Sequence, residues 1–219
     1  KANLIWLREN TNAHIHADLI FGLPGETLST FAESFNELYS CHPHEIQLGI
    51  LKRLKGSPII RHTDDYQLKF NPLPPYNILS NSSVDFITMQ RVNRFARYWD
   101  MLANSGRFKR SLPLLIENNP FDRFMVLTEW LFQKTQQTHQ INLKRLFELL
   151  LNVDELFTDI DMPSFTELLQ HDYEKTKLKG RLRLSTDEST TIKTNSSNSE
   201  QSSHKSHANR ATRQMRHIG

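Results

Sequence analysis

The stretch His14–Thr27, HIHADLIFGLPGET, decides the fold. Ala13 to Phe21 reads as a strand whose second half is mostly apolar, and GLPGET reads as a turn. After the turn, Leu28, Phe31, Phe35 and Leu38 recur at helical intervals and put one apolar stripe on a helix. Pro43 ends that helix, and Glu45 to Leu51 (EIQLGIL) supplies a second strand. Strand, turn, amphipathic helix, turn, strand is a βαβ unit, and the apolar runs suit parallel strands covered by helices.

Outward from this unit the pattern changes. Asn3 to Arg8 looks like the end of a preceding helix. At Asn71 to Pro75 (NPLPP), three prolines in five residues forbid a helix and favour an extended linker. Beyond it, Phe86, Met89, Phe95, Trp99 and Leu102 share one face of a long helix that Gly106 helps to stop. Pro120 opens another helix, with Phe121, Phe124, Leu127, Trp130 and Leu131 on its buried side. Leu143, Leu146, Phe147, Leu150 and Val153 form a third stripe, and Pro163 starts a fourth helix with Phe165, Leu168, Leu169 and Tyr173. The expected class is α/β followed by all-α. Residues 1–70 form the strand-bearing part, 71–83 a proline-rich linker, 84–180 a helical bundle and 181–219 a disordered, basic, polar tail.

Composition limits the chemistry. The chain has 219 residues and a single cysteine, Cys41, so its own thiolates make no disulfide, zinc centre or iron–sulfur cluster. No apolar run of about 18 residues and no cationic-then-apolar leader is present, so a cytoplasmic protein is expected. The first residue is Lys rather than Met, which suggests a fragment. The net charge of +3 comes from 27 Lys+Arg against 24 Asp+Glu. Residues 181–219 hold seven of the basic and three of the acidic residues, leaving 20 and 21 upstream, so the basic excess lies in the tail. A solubilising extension is the expected role of the tail, with an RNA-binding or partner-binding arm as the alternative; its histidines His204, His207 and His217 lack the fixed geometry a metal needs.

Ligands of α/β proteins gather at the carboxyl ends of parallel strands, where GLPGET sits. There Gly22 and Gly25 let the backbone turn sharply, Pro24 stiffens the turn, and Glu26 lies near the positive end of the following helix. The same residues also suit an ordinary strand-to-helix connection with Glu26 or Thr27 as cap. His14, His16 and Asp18 alternate and share one strand face, but residues two apart on a strand rarely converge on one ion. CHPH, Cys41 to His44, has ligand-like residue types and is expected to be a helix-ending turn. Lys52, Arg53 and Lys55 make the loop after the second strand basic. Arg91, Arg94 and Arg97 recur along one side of the long helix, as a solvated face or a docking face.

DLIFGLPGET after a strand, with the helix and strand leading to LKRLKGSPI, resembles the later strands of the radical S-adenosylmethionine (SAM) barrel. NPLPPYNILS, DFITMQRVNRFARYWDMLANSGRF and LTEWLFQKTQQTH look like the carboxyl-terminal half of cobalamin-binding-domain radical SAM proteins, in which an uncharacterised helical domain follows the barrel. The resemblance covers roughly Ala2 to Lys179. It implies a partial, TIM-like barrel with parallel strands, an upstream cobalamin-binding domain and an upstream CxxxCxxC loop. Asp18 matches a position near the SAM ribose or methionine moiety, Gly22, Pro24, Gly25 and Glu26 match the turn on the adenine side, Ile50 and Leu51 match a strand end against adenine, and Lys52 begins the next loop. Ser57 stands where threonine is frequent. The implied chemistry is reductive SAM cleavage at a four-iron four-sulfur cluster, giving a 5'-deoxyadenosyl radical or, with cobalamin, supporting methyl transfer. Lacking the cluster cysteines, this chain alone is expected to be inactive. The alternative from another class is a non-catalytic helical interaction module with a basic RNA- or partner-binding tail. Catalytic residues and substrate are not identified by the sequence.

Overall fold

A computed structural model describes residues 1–182, so the expectation of a disordered tail falls almost wholly outside the described residues. Helix α1 (Ala2–Asn10) leads into strand β1 (His16–Phe21), helix α2 (Leu28–Tyr39) and strand β2 (Glu45–Ile50). The strands pair in parallel, His16 opposite Glu45 through Phe21 opposite Ile50, so the βαβ unit expected from the sequence is present. Thr27 caps α2: its side chain accepts from the Thr30 backbone N–H, and the Thr30 hydroxyl accepts in return from the Thr27 N–H. Phe31 and Phe35 on the buried side of α2 close one face of the strand pair.

A short antiparallel pair follows, β3 (Lys69–Phe70) with β4 (Ile78–Ser80), so part of the segment 71–83 is a strand. Helices α3 (Phe86–Trp99), α4 (Ser111–Ile116), α5 (Pro120–Thr135), α6 (Leu143–Leu150) and α7 (Met162–Lys175) complete the described chain. Asp85 caps α3 by accepting from the Thr88 N–H at 2.7 Å, which holds its carboxyl below the usual range. A π-helical turn, Asp100–Asn104, extends α3 to the positive-φ Gly106. Pro120 occupies the first turn of α5, where its missing N–H costs nothing.

The architecture is thus mixed α/β with seven α-helices and a few short strands, and among the described residues no barrel closes. One hydrophobic core runs from Phe21 and Phe35 to Phe165 and Leu169. Its centre is aromatic. Phe35 of α2 meets Phe95 at 5.2 Å, Trp99 at 4.9 Å and Phe121 at 5.8 Å, edge to face, so the βαβ unit and the helices share packing. Short α4 buries Leu112, Leu115 and Ile116. It is held by the buried Asp172 of α7, whose Oδ2 accepts from the Arg110 N–H, the Ser111 N–H and the Ser111 hydroxyl at 2.9–3.0 Å. Among the described residues no helix is long and apolar enough to cross a membrane.

Candidate functional site

Alternation along β1 and β2 divides their side chains between two faces. One face, with Phe21 and Ile46, is buried. The other carries His16, Asp18 and Ile20 from β1 and Gln47 from β2, all exposed. No other described strand pairs with β1. The face is polar and internally linked. His16 Nε2 lies 2.9 Å from Gln47 Oε1 and 3.4 Å from Asp18 Oδ1, and His16 Nδ1 lies 3.0 Å from Glu45 Oε2. The Gln47 hydrogen bond, then the Asp18 and Glu45 carboxylates, hold the His16 imidazole above its ordinary pKa against some desolvation.

At the carboxyl end of the pair, the chain leaves β1 through Gly22 at φ +96° and Gly25 at φ +79°, a region that disfavours side-chain-bearing residues. Glu26 folds back over this turn, its Oε2 accepting from the Gly22 N–H at 2.9 Å and the Leu23 N–H at 3.4 Å. Desolvation pushes the half-buried Glu26 carboxyl above the usual carboxylate range, and the two N–H bonds oppose that rise. Thr27 therefore supplies the helix cap, while Glu26 fastens the turn. Pro24 is half-buried between the two glycines.

Gly22 has a second reason to be glycine. A Cβ there would stand 2.8 Å from Ile78 Cγ2 and 3.3 Å from Met89 Cε, so β4 and α3 occupy the space a side chain would need. The Asn81 amide also donates to the Gly22 carbonyl at 3.4 Å. Beside this turn, the Leu51 N–H donates to the Phe21 carbonyl at 2.9 Å, and the Leu51 carbonyl accepts from the Ile78 N–H at 2.8 Å. Lys52 is exposed and bridges to Asn77 through the backbone. Ile50 and Leu51 are half-buried.

Gly22, Pro24, Gly25, Glu26, Ile50, Leu51 and Lys52 accordingly gather at one end of the strand pair, and Asp18 sits farther back on its open face. Sequence reasoning missed Gln47, although its alternation with Glu45 in phase with His16 and Asp18 signalled a polar row. It also missed Ile78, Met89 and Asn81, which come from distant segments and leave no local signal.

The CHPH cluster lies at the opposite end. Helix α2 stops at Tyr39, and His42 takes φ 50°, as a helix-ending turn requires. Buried Cys41 donates its thiol hydrogen to the Glu37 carbonyl at 3.3 Å. His44 Nδ1 accepts from the Ile15 N–H at 2.9 Å, and its Nε2 lies 2.7 Å from Arg8 Nη1. Desolvation, followed by the nearby Arg8 charge, keeps His44 below its ordinary pKa and so favours the neutral ring that this acceptor role needs. Among the described residues no group of three or more His, Cys, Asp or Glu side chains is arranged to hold a metal ion.

A four-iron four-sulfur cluster does not fit this chain's own donors, because its one thiol is buried, hydrogen-bonded to Glu37 and remote from the GLPGET end. The Gly22 and Leu23 N–H groups are committed to Glu26, which leaves Asp18, His16 and Gln47 as the polar groups on open surface.

Comparison with known proteins gives one family match. The profile described as "Protein of unknown function (DUF4080)" matches residues 64–218, which takes in β3, β4 and helices α3 to α7 and leaves α1, the GLPGET turn and the βαβ unit outside. No curated protein matches the sequence.

Proposed function

Since the chain belongs to the family of proteins of unknown function described as DUF4080, we propose that it supplies the closing strands of a partial radical SAM barrel together with that family's helical domain. In this reading the turn Gly22–Glu26, the strand end Ile50–Lys52 and Asp18 form the adenine and ribose side of a SAM cleft. The observation that supports it is the parallel β1–β2 pair, with the GLPGET turn beside the end of β2 and a polar face left uncovered. Ligands of parallel α/β sheets bind at such carboxyl ends.

On this reading SAM and an iron–sulfur cluster would supply the radical chemistry, the cluster being held by cysteines other than Cys41, and cobalamin would be held by a separate domain. This chain's residues have positioning roles. Glu26 keeps the turn closed on its own N–H groups, Gly22 lets that turn seat on Ile78 and Met89, and Asp18 presents a carboxylate suited to accept from ribose hydroxyls. The chain by itself is inactive, since the cluster must be held by cysteines it lacks.

Titration of the isotope-labelled 219-residue chain with SAM tests the assignment. Saturable amide shifts confined to Asp18, Gly22, Gly25, Glu26 and Ile50 to Lys52 are expected. Shifts that are absent or scattered would overturn it. Anaerobic reconstitution with iron and sulfide is a separate check, expected to give neither a four-iron cluster spectrum nor SAM cleavage.

A further inference from the structure

The arginines recurring along α3 have three different environments. Arg91 is neutralised by Glu129 of α5. Arg94 lies with its guanidinium 4.7 Å from the centroid of the Phe132 ring, and its buried Nε has no hydrogen-bond partner. Arg97 is exposed, and among the described residues neither Arg94 nor Arg97 has an ion pair. Arg94 and Arg97 line a cavity of about 330 Å³ with Gln90, Asn93, Thr138 and His139, and among the described residues no carboxylate lines it.

Two guanidinium groups, an imidazole and a hydroxyl around a space without a counter-charge form a site short of an anion. The stack on Phe132 fixes Arg94 before any ligand arrives, which lowers the ordering cost of binding. A guanidinium offers a planar fork of donors that meets two oxygens at once, and it stays charged at any pH the protein survives. Six donor-bearing side chains, the Gln90 and Asn93 amides among them, match the three oxygens of a phosphate monoester better than the two of a carboxylate. Gln90 and Asn93 also line a neighbouring cavity of about 200 Å³ with Asn71 and Asn77, whose buried Oδ1 has no partner. That cavity is lined by carboxamides and apolar groups, without charge, and suits an uncharged polar remainder carrying a hydrogen-bond donor.

We propose that the cavity between α3 and the Thr138–His139 segment binds the phosphate group of a small phosphomonoester, with Arg94 and Arg97 as its charge partners. This site is separate from the GLPGET turn and does not depend on the SAM reading.

Calorimetric titration of the full chain with inorganic phosphate, glycerol 3-phosphate and succinate tests the proposal. Saturable phosphate binding with a Kd of about 1 mM or tighter is expected, glycerol 3-phosphate binding at least as tightly and succinate more weakly. Arg94→Gln and Arg97→Gln should each weaken phosphate binding about tenfold or more, the usual scale for losing a charge-assisted bond. Arg97 is exposed, so Arg97→Gln remains informative even if Arg94→Gln misfolds. Arg107→Gln, remote from this cavity, should leave binding unchanged. Absence of saturation, tighter binding of succinate, or equal losses in Arg97→Gln and Arg107→Gln would each overturn the proposal.

Discussion

The two faces of the β1–β2 pair are built from alternate residues of the same strands, yet only one of them is covered by the described residues. On one side Phe21 and Ile46 are covered by α2 and by the aromatic cluster of Phe35, Phe95, Trp99 and Phe121. On the other, His16, Asp18 and Gln47 bond to one another, and Ile20 stays 46% exposed. An apolar side chain left in water forfeits the transfer free energy that holds the first face together. The lesson is that the covered face accounts for folding, and the uncovered face is where a ligand would meet exposed polar groups.

The contrast is broken most severely at Phe35. Phe35→Ala removes a fully buried ring shared by the βαβ unit and the helices, at a cost of about 3–5 kcal/mol. Urea unfolding followed by tryptophan fluorescence and circular dichroism should show both signals shifting together, because one core serves both regions. Two separated transitions would count against the shared core.

Glycine substitutions compare the faces directly. Gly22→Ala forces a Cβ against Ile78 at a positive φ and should cost about 1–3 kcal/mol. Gly49→Ala meets only ordinary contacts at 3.7 Å, from Ile20 and the Leu19 carbonyl, and should change stability by under about 0.5 kcal/mol. Chemical denaturation midpoints for the two variants check the difference.

The smallest effect is electrostatic and lies at the turn. Glu26 has a raised pKa in the folded chain, so its contribution is present below the ordinary value of 4.5 and is lost as pH rises through the higher folded value. Glu26→Gln keeps an oxygen able to accept from Gly22 but carries no charge. Wild type should therefore lose stability relative to Glu26→Gln between about pH 4 and pH 7, as read from thermal midpoints across that range. A difference of the opposite sign would mean that the Gly22 and Leu23 N–H bonds outweigh desolvation.

Much of this was legible locally. The spacing of Leu28, Phe31, Phe35 and Leu38 gave α2, and Pro120 marked the start of α5. GLPGET was legible as a turn, with both readings of its glutamate open. Helix α4 was not legible, because Leu112, Leu115 and Ile116 span barely one turn around Pro113, and its anchor, Asp172, lies about sixty positions away. Strands β3 and β4, two and three residues long, were equally silent. The arginine stripe on α3 was visible, but its division into Arg91, paired with Glu129, and Arg94 and Arg97, without an ion pair among the described residues, depends on Glu129 and Phe132 of another helix.

The sequence by itself determined the βαβ unit, the helical character of the second half, the polar row on β1 and the lack of cysteines for a cluster. These follow from periodicity, turn chemistry and counting, which act over a few residues or over composition alone. Only the tertiary structure decided that Gly22 is fixed by packing against Ile78 and Met89, that Glu26 closes its own turn, and that one aromatic core joins the strands to the helices. Those outcomes depend on which distant side chains reach the same few ångströms of space, and that is set by the summed packing of the chain.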